Sequence, residues 1–230
     1  MIEPLWTPPP PSPAIDRRHI HLWRVPLDRE ADELASLLAP EEAARRDRLL
    51  FPEARRRFTV TRGTLRRILG GYLSISPAAV RLVEEEGGKP YLAQRQLQFN
   101  ISHSGELALI AVAAGRRVGI DLERERRIAG APSIARRWFS AAECELLEQA
   151  PADERLRRFL EQWTAKEARL KAVGAGIWNL ATSDLSGEWA VVPFAPAEGF
   201  IAALVVEGSP DWELEAFDVS PGRFQAESRR

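Results

Sequence analysis

The sequence predicts an α/β (α+β) fold built of two similar lobes, and three observations carry that prediction. Apolar residues recur at helical spacing in some segments and at strand spacing in others, in helix-then-strand order within each half. The halves also echo each other. Phe58-Thr59 with Leu65-Arg66 repeats as Trp163-Thr164 with Leu170-Lys171 at the same internal spacing, and Gly105-Glu106-Leu107-Ala108-Leu109 resembles Gly199-Phe200-Ile201-Ala202-Ala203. A chain of 230 residues with 45% hydrophobic side chains is long enough to bury a core. The lobes are expected over residues 16–116 and 117–230, behind a proline-rich flexible leader at 1–15.

Six prolines between Pro4 and Pro13 fix extended backbone and remove amide donors, so the leader is expected to be disordered or extended. His19 to Val25 alternates like a strand. A helix is predicted over Asp28 to Leu38, Pro40 opens a second short one, and a long helix runs from Pro52 to Leu69, stopping at Gly70-Gly71. A short apolar stretch ends near Val83 and leads into the turn Glu86-Gly87-Gly88-Lys89-Pro90. The polar segment Phe99 to Gly105 follows, then Leu107 to Ala113, which is apolar throughout and predicts a strand buried on both faces. Val118 to Glu123 predicts a strand whose apolar residues alternate with Asp121 and Glu123. In the second half a helix over Ala141 to Gln149 starts on Ser140, with Glu143 three residues later completing a capping box. A long helix spans Asp153 to Val173, and strands are expected at Trp189–Val192, Phe200–Val206 and Trp212–Val219.

With 32 basic and 33 acidic side chains the formal net charge is −1, so no global field draws the chain to nucleic acid or an anionic membrane. Anion binding must come from local clusters. The lone Cys144 excludes an intramolecular disulfide and a cysteine-based zinc site, and suits packing. No stretch approaches the ~20 apolar residues of a membrane span, and a cytoplasmic protein is expected.

Strand periodicity points Asp121 and Glu123 to one face, and helical spacing puts Glu167 and Lys171 one turn apart on one side. A hard cation with positions open for phosphate oxygens suits such a trio of carboxylates. Three carboxylates and a diphosphate carry roughly −5 against +2 for one magnesium ion, so nearby cations are required. Lys89, Lys166, Lys171, Arg45, Arg48, Arg57 and Arg62 are the candidates, each arginine weighed against a solvated helix face. His103 sits in a polar cluster just before a buried strand, where it either meets phosphates or caps a hairpin. Ser102 beside His103 lacks the setting of a hydrolase nucleophile, and His19 with His21 lacks a third zinc ligand.

The ordered blocks Gly88-Lys89-Pro90, Phe99-Asn100-Ile101-Ser102-His103-Ser104, Val118-Gly119-Ile120-Asp121-Leu122-Glu123, Phe139-Ser140 with Glu143, and Trp163-Thr164-Ala165-Lys166-Glu167-Ala168 with Lys171 resemble 4'-phosphopantetheinyl transferases of the surfactin-synthetase-associated type. The Trp163, Lys166-Glu167-Ala168 variant is similar to the branch often associated with polyketide, nonribosomal peptide or lipid synthases. The resemblance implies transfer of the phosphopantetheine arm from coenzyme A to a serine of an apo carrier protein (acyl, peptidyl or aryl carrier domain), releasing adenosine 3',5'-bisphosphate. It implies two lobes related by a pseudo-twofold axis, with coenzyme A between them, in a monomer. Asp121, Glu123 and Glu167 would then hold magnesium, and Lys171 would neutralise a phosphate oxygen. Gly88, Lys89 and Pro90 would line the adenine side, Ser102 and His103 would meet the coenzyme phosphates, and Arg57 with Arg45 would bind the 3'-phosphate. Lys166 joins the coenzyme-binding cations. Glu167, Lys171, Asp121 and His103 form the implied catalytic set, with Glu167 either the base or only a ligand. Arg136, Arg137, Trp138 and Phe139 are candidates for meeting the carrier, with burial the alternative for the two aromatics. A magnesium-dependent nucleotide phosphohydrolase or nucleotidyl transferase would use the same acids, and a noncatalytic coenzyme-binding module is the third reading.

Overall fold

The apolar run Leu107–Ala113 (β6) is buried along its whole length, as a strand covered on both faces must be. It pairs antiparallel with His19–Pro26 (β2), placing Trp23 opposite Ile110, and with Gln98–Ser104 (β5), placing Ser102 opposite Leu109. Glu213–Asp218 (β10) pairs parallel with β2, and Trp6–Thr7 (β1) parallel with β10, giving the sheet order β1-β10-β2-β6-β5. A second sheet is antiparallel, with Val118–Arg124 (β7) and Trp189–Phe194 (β8) flanking Phe200–Glu207 (β9). Leu82–Glu84 (β3) and Pro90–Leu92 (β4) form a separate hairpin. The helices are Asp32–Ala35 (α1), Pro40–Asp47 (α2), Pro52–Leu73 (α3), Ala131–Trp138 (α4), Ala141–Gln149 (α5) and Arg155–Ala172 (α6). This computed structural model describes residues 2–84, 89–94, 96–174 and 186–219.

The long helix α3 lays Leu65, Ile68 and Leu69 against Trp23, Val25, Ile110 and Val112 on one face of the first sheet. The opposite face, through Ile20, Leu22 and Leu109, shares a core with Val118, Ile120, Leu122, Leu204 and Val206 of the second sheet. Val118, Ile120 and Leu122 of β7 therefore point inward. Gly119, Asp121 and Glu123 face the other way, toward α6. There Ala168 packs on Ala203 and Val205.

Several boundaries differ from expectation. The helix α3 continues through Gly70-Gly71 to Leu73, and Ser74 ends it in the left-handed region at φ 53°. The glycines serve packing instead of termination: a Cβ at Gly70 would lie 2.9 Å from Ile75 O, and one at Gly71 3.0 Å from Pro13 Cδ. The first helix is cut to Asp32–Ala35 because nothing caps it, Ala31 offering no side-chain acceptor. The leader is extended and lies along the fold. Ile2 N–H donates to Pro193 O at 3.2 Å, Thr7 Oγ1 to Ala216 O at 3.1 Å, and the Arg24 guanidinium covers the Trp6 ring at 4.5 Å. Because β10 inserts between β1 and β2, the five-stranded sheet interleaves the two halves of the sequence. Ser140 and Glu143 do form the predicted capping box, at 3.3 and 2.6 Å. Among the described residues no helix is long and apolar enough to cross a membrane.

A buried ion pair joins the N-terminal helices. Arg66 Nε donates to Glu42 Oε2 at 2.6 Å and Arg66 Nη1 to Val80 O at 3.0 Å, while Glu42 also accepts Ala39 N–H at 2.9 Å. Replacing Arg66 by Met leaves the buried Glu42 carboxylate, among the described residues, with the Ala39 N–H and with Arg62, whose Nε is 3.4 Å away. The expected loss is about 3–5 kcal/mol in urea denaturation, and a loss under about 1 kcal/mol would show that Arg62 suffices.

Candidate active site

Edge strand β7 of the second sheet runs beside edge strand β5 of the first, and alternate side chains of β5 join them. Asn100 Oδ1 accepts Ile120 N–H at 2.9 Å, Ser102 Oγ accepts Leu122 N–H at 3.2 Å, and Ser104 Oγ accepts Arg124 N–H at 3.1 Å. The same hydroxyls donate onward, Ser102 to Asp121 Oδ1 at 3.0 Å and Ser104 to Glu123 Oε2 at 3.1 Å. Across from them α6 brings Lys171, whose Nζ donates to Asp121 Oδ1 at 2.6 Å and to Ser102 Oγ at 3.0 Å. Ser102, His103, Asp121, Glu123, Trp163, Glu167 and Lys171 line one groove of about 360 Å³.

That approach of α6 depends on Gly119. A Cβ there would sit 1.9 Å from Ala168 O and 2.6 Å from Ala172 N, both backbone atoms. Only hydrogen at this position lets the helix lie on the strand.

Negative charge in the groove is incompletely compensated. Burial, then the neighbouring Asp121 carboxylate, raises the pKa of both Glu123 and Glu167. Asp121 is 5% exposed, and its Oδ2 is buried with no hydrogen-bond partner among the described residues. An orphaned carboxylate oxygen within an all-oxygen donor set fits a hard divalent cation. Among the described residues no three His, Cys, Asp or Glu side chains already converge as a cage, and the Lys171 ammonium is the charge that neutralises Asp121. Desolvation lowers the pKa of His103, with Lys171 and then Arg57 adding to it, which favours the neutral imidazole, although part of the residue stays exposed.

The other expected residues are placed as follows. Lys89 donates to Ala172 O, at the C-terminal end of α6, at 3.0 Å, and Pro90 opens β4. Gly88 lies outside the described residues. Arg57 forks onto Glu106, with Nε 3.3 Å from Oε2, and Arg56 stands 3.6 Å from the same carboxylate. Arg45 and Arg62 lie over the Phe58 ring at 5.7 and 5.9 Å, away from the groove lining. The Lys166 ammonium pairs with Glu143 Oε2 at 2.9 Å and covers the Phe139 ring at 5.6 Å. One residue along a helix is a rotation of about 100°, enough to turn Lys166 toward α5 while Glu167 faces the groove. The Ser102 hydroxyl donates to Asp121 and accepts from Leu122 N–H and from the Lys171 ammonium. Phe139 is interior, 5.4 Å from the Phe159 ring.

Sequence reasoning missed Ser104, Asn100 and Glu106. The period-two recurrence of Asn100, Ser102 and Ser104 opposite the acid-bearing strand was the available signal.

The chain belongs to the 4'-phosphopantetheinyl transferases, a family of enzymes. A family model described as the 4'-phosphopantetheinyl transferase superfamily matches residues 117–205, and one described as 4'-phosphopantetheinyl transferase, N-terminal, matches residues 21–115. Among individual proteins, the chain is similar to 4'-phosphopantetheinyl transferase HetI of Nostoc sp., 40% identical over 227 residues, covering 90% of this chain and 96% of the relative. It is 34% identical over 160 residues to a putative 4'-phosphopantetheinyl transferase of Synechocystis sp., covering 68% and 65% of the two chains. Over 154 residues it is 29% identical to 4'-phosphopantetheinyl transferase Sfp of Bacillus subtilis, covering 66% and 67%.

Proposed function

We propose that the chain moves the 4'-phosphopantetheine arm of coenzyme A to a serine of an apo carrier protein, with coenzyme diphosphate in the groove between β5, β7 and α6. The observation that carries this reading is the bridge from Lys171 to both Ser102 and Asp121, which gathers a cation, a carboxylate and both sheets at one point. The family models meet between residues 115 and 117, which supports a lobe on either side of the groove.

The carrier serine Oγ attacks the proximal phosphorus, its proton leaves to a base, and the bond from that phosphorus to the bridging diphosphate oxygen breaks. Adenosine 3',5'-bisphosphate departs. Glu167, which lines the groove on α6, would serve either as the base that takes the proton or only as a metal ligand. Lys171 is placed to follow charge onto the leaving group, and neutral His103 to donate to a phosphate oxygen. Asp121, Glu123 and Glu167 would hold a magnesium ion, which supplies compensation for diphosphate charge. Arg57, paired with Glu106, would bind a coenzyme phosphate by exchanging that partner.

For the carrier, an apolar groove of about 310 Å³ between α4, α5 and α6 carries Arg127, Arg136 and Arg155. Acidic carrier helices suit that combination. We further infer a cytoplasmic monomer with no nucleic-acid or membrane partner, in keeping with the net charge of −1.

Incubation with coenzyme A, magnesium and an apo carrier domain is expected to raise the carrier mass by one phosphopantetheine arm. Nucleotide breakdown without a carrier would support the hydrolase reading, and binding without turnover a noncatalytic module.

A further inference from the structure

The strand that bears Asp121 and Glu123 is an edge, and edge strands present a row of main-chain N–H groups that need partners. Those of Ile120, Leu122 and Arg124 find them on the side chains of Asn100, Ser102 and Ser104, at 2.9, 3.2 and 3.1 Å. The two sheets are thus spliced by side-chain oxygens, which fixes the register between the strand carrying His103 and the strand carrying the acids. Each splice point differs in what else it does. Asn100 satisfies the buried Ile120 amide. Ser102 serves Asp121 and Lys171. Ser104 spends its single O–H on Glu123 Oε2 at 3.1 Å and accepts from Arg124 at an exposed position.

We propose that Ser104 is a positioning residue, holding the Glu123 carboxylate and the β7 edge in the geometry that a divalent cation and the coenzyme diphosphate require. The inference rests on the function proposed above. Three physical points support it. A serine hydroxyl has one donor, so the bond to Glu123 fixes one of its two oxygens and leaves the other to turn toward the groove. No other side-chain hydrogen bond to Glu123 is seen among the described residues that could substitute for it. The Arg124 amide is near solvent, so water can replace the serine there, and losing the hydroxyl disturbs the carboxylate more than the fold. Outer hydrogen bonds of this kind are worth roughly 10- to 100-fold in metal affinity or activity when removed.

The test is Mn2+ binding, followed by electron paramagnetic resonance with coenzyme A present, alongside thermal melting of the metal-free protein. For Ser104→Ala we expect the Mn2+ Kd to rise about 10-fold, with the metal-free melting midpoint within roughly 3 °C of the wild type. Ser104→Thr, which keeps the hydroxyl, should restore the affinity to within about 2-fold. If the wild type binds Mn2+ and Ser104→Ala binds it equally well, Ser104 has no positioning role and the function proposed above stands. If the Ala and Thr variants lose affinity and melting midpoint together, the residue is merely structural and the proposal fails. A wild type that binds no Mn2+ under these conditions overturns both this inference and the metal-holding part of the functional reading.

Discussion

Asp121→Asn is expected to abolish arm transfer, by at least about 10²-fold in kcat, in a protein that still folds. The amide keeps an oxygen for the Ser102 hydroxyl and the Lys171 ammonium, which now bond to Asp121 Oδ1 at 3.0 and 2.6 Å. What it removes is one negative charge at a point where Oδ2 is buried without a partner. Removing that charge relieves its repulsion of Glu123 and Glu167 but weakens the pair with Lys171, and the two effects offset each other in the apo fold, which should melt within roughly 5 °C of the wild type. Glu167→Gln is expected to cost about 10²- to 10⁴-fold in kcat, and Mn2+ affinity separates its two possible roles. A base lost alone leaves the affinity near wild type; a ligand lost weakens it with kcat. Near-normal turnover in either variant, measured as carrier mass gain, removes that residue from the mechanism.

Local pattern reached most elements because their burial is local. The unbroken run Leu107–Ala113 states that both faces of the strand are covered, and Val118 to Glu123 states which side chains point away from the core. Partners are a different matter. Nothing in Glu213–Asp218 says that it will lie parallel to β2, about 190 residues earlier, because parallel pairing is set by long-range packing instead of a turn. The leader was equally opaque: prolines announce extension, while docking depends on Trp6 meeting Arg24 and Thr7 meeting Ala216. Gly70-Gly71 reads as a stop signal in sequence, yet the neighbouring turn and Pro13 crowd these positions, and the helix runs on.

Within the site, the carboxylates and Lys171 were legible from periodicity, while other long cations were not. Asp121, Glu123 and Glu167 needed only strand and helix periodicity to be placed, and they line one groove. Lys166 and Arg57 carry charges several bonds from the backbone, and the nearest carboxylates, Glu143 and Glu106, decide where those charges rest. The internal echo shows the same limit. Arg66 and Lys171 occupy matching positions late in α3 and α6, yet one is locked into a buried pair with Glu42 and the other reaches into the groove.

Gly119→Ala tests whether the closeness of α6 to β7 is what makes these residues a site. The added methyl would stand 1.9 Å from Ala168 O, 2.6 Å from Ala172 N and 2.9 Å from Ala172 Cβ, so a rotamer change cannot relieve the clash. The helix backbone has to lift by ~1 Å or more, carrying Glu167 and Lys171 away from Asp121. Overpacking of this kind costs roughly 1–3 kcal/mol, while displacement of reacting groups by 1 Å can cost about 10²-fold in rate. Gly63→Ala supplies the comparison: its methyl would meet Leu34 Cβ at 2.7 Å and Leu34 O at 2.8 Å, against α1 and away from the groove lining. Both variants should lose stability to a similar degree in urea denaturation, but only Gly119→Ala should lose transfer. Equal activity in the two, once both are confirmed folded at the assay temperature, would mean that α6 tolerates the shift and that the Lys171 bridge to Asp121 is not what holds the site together.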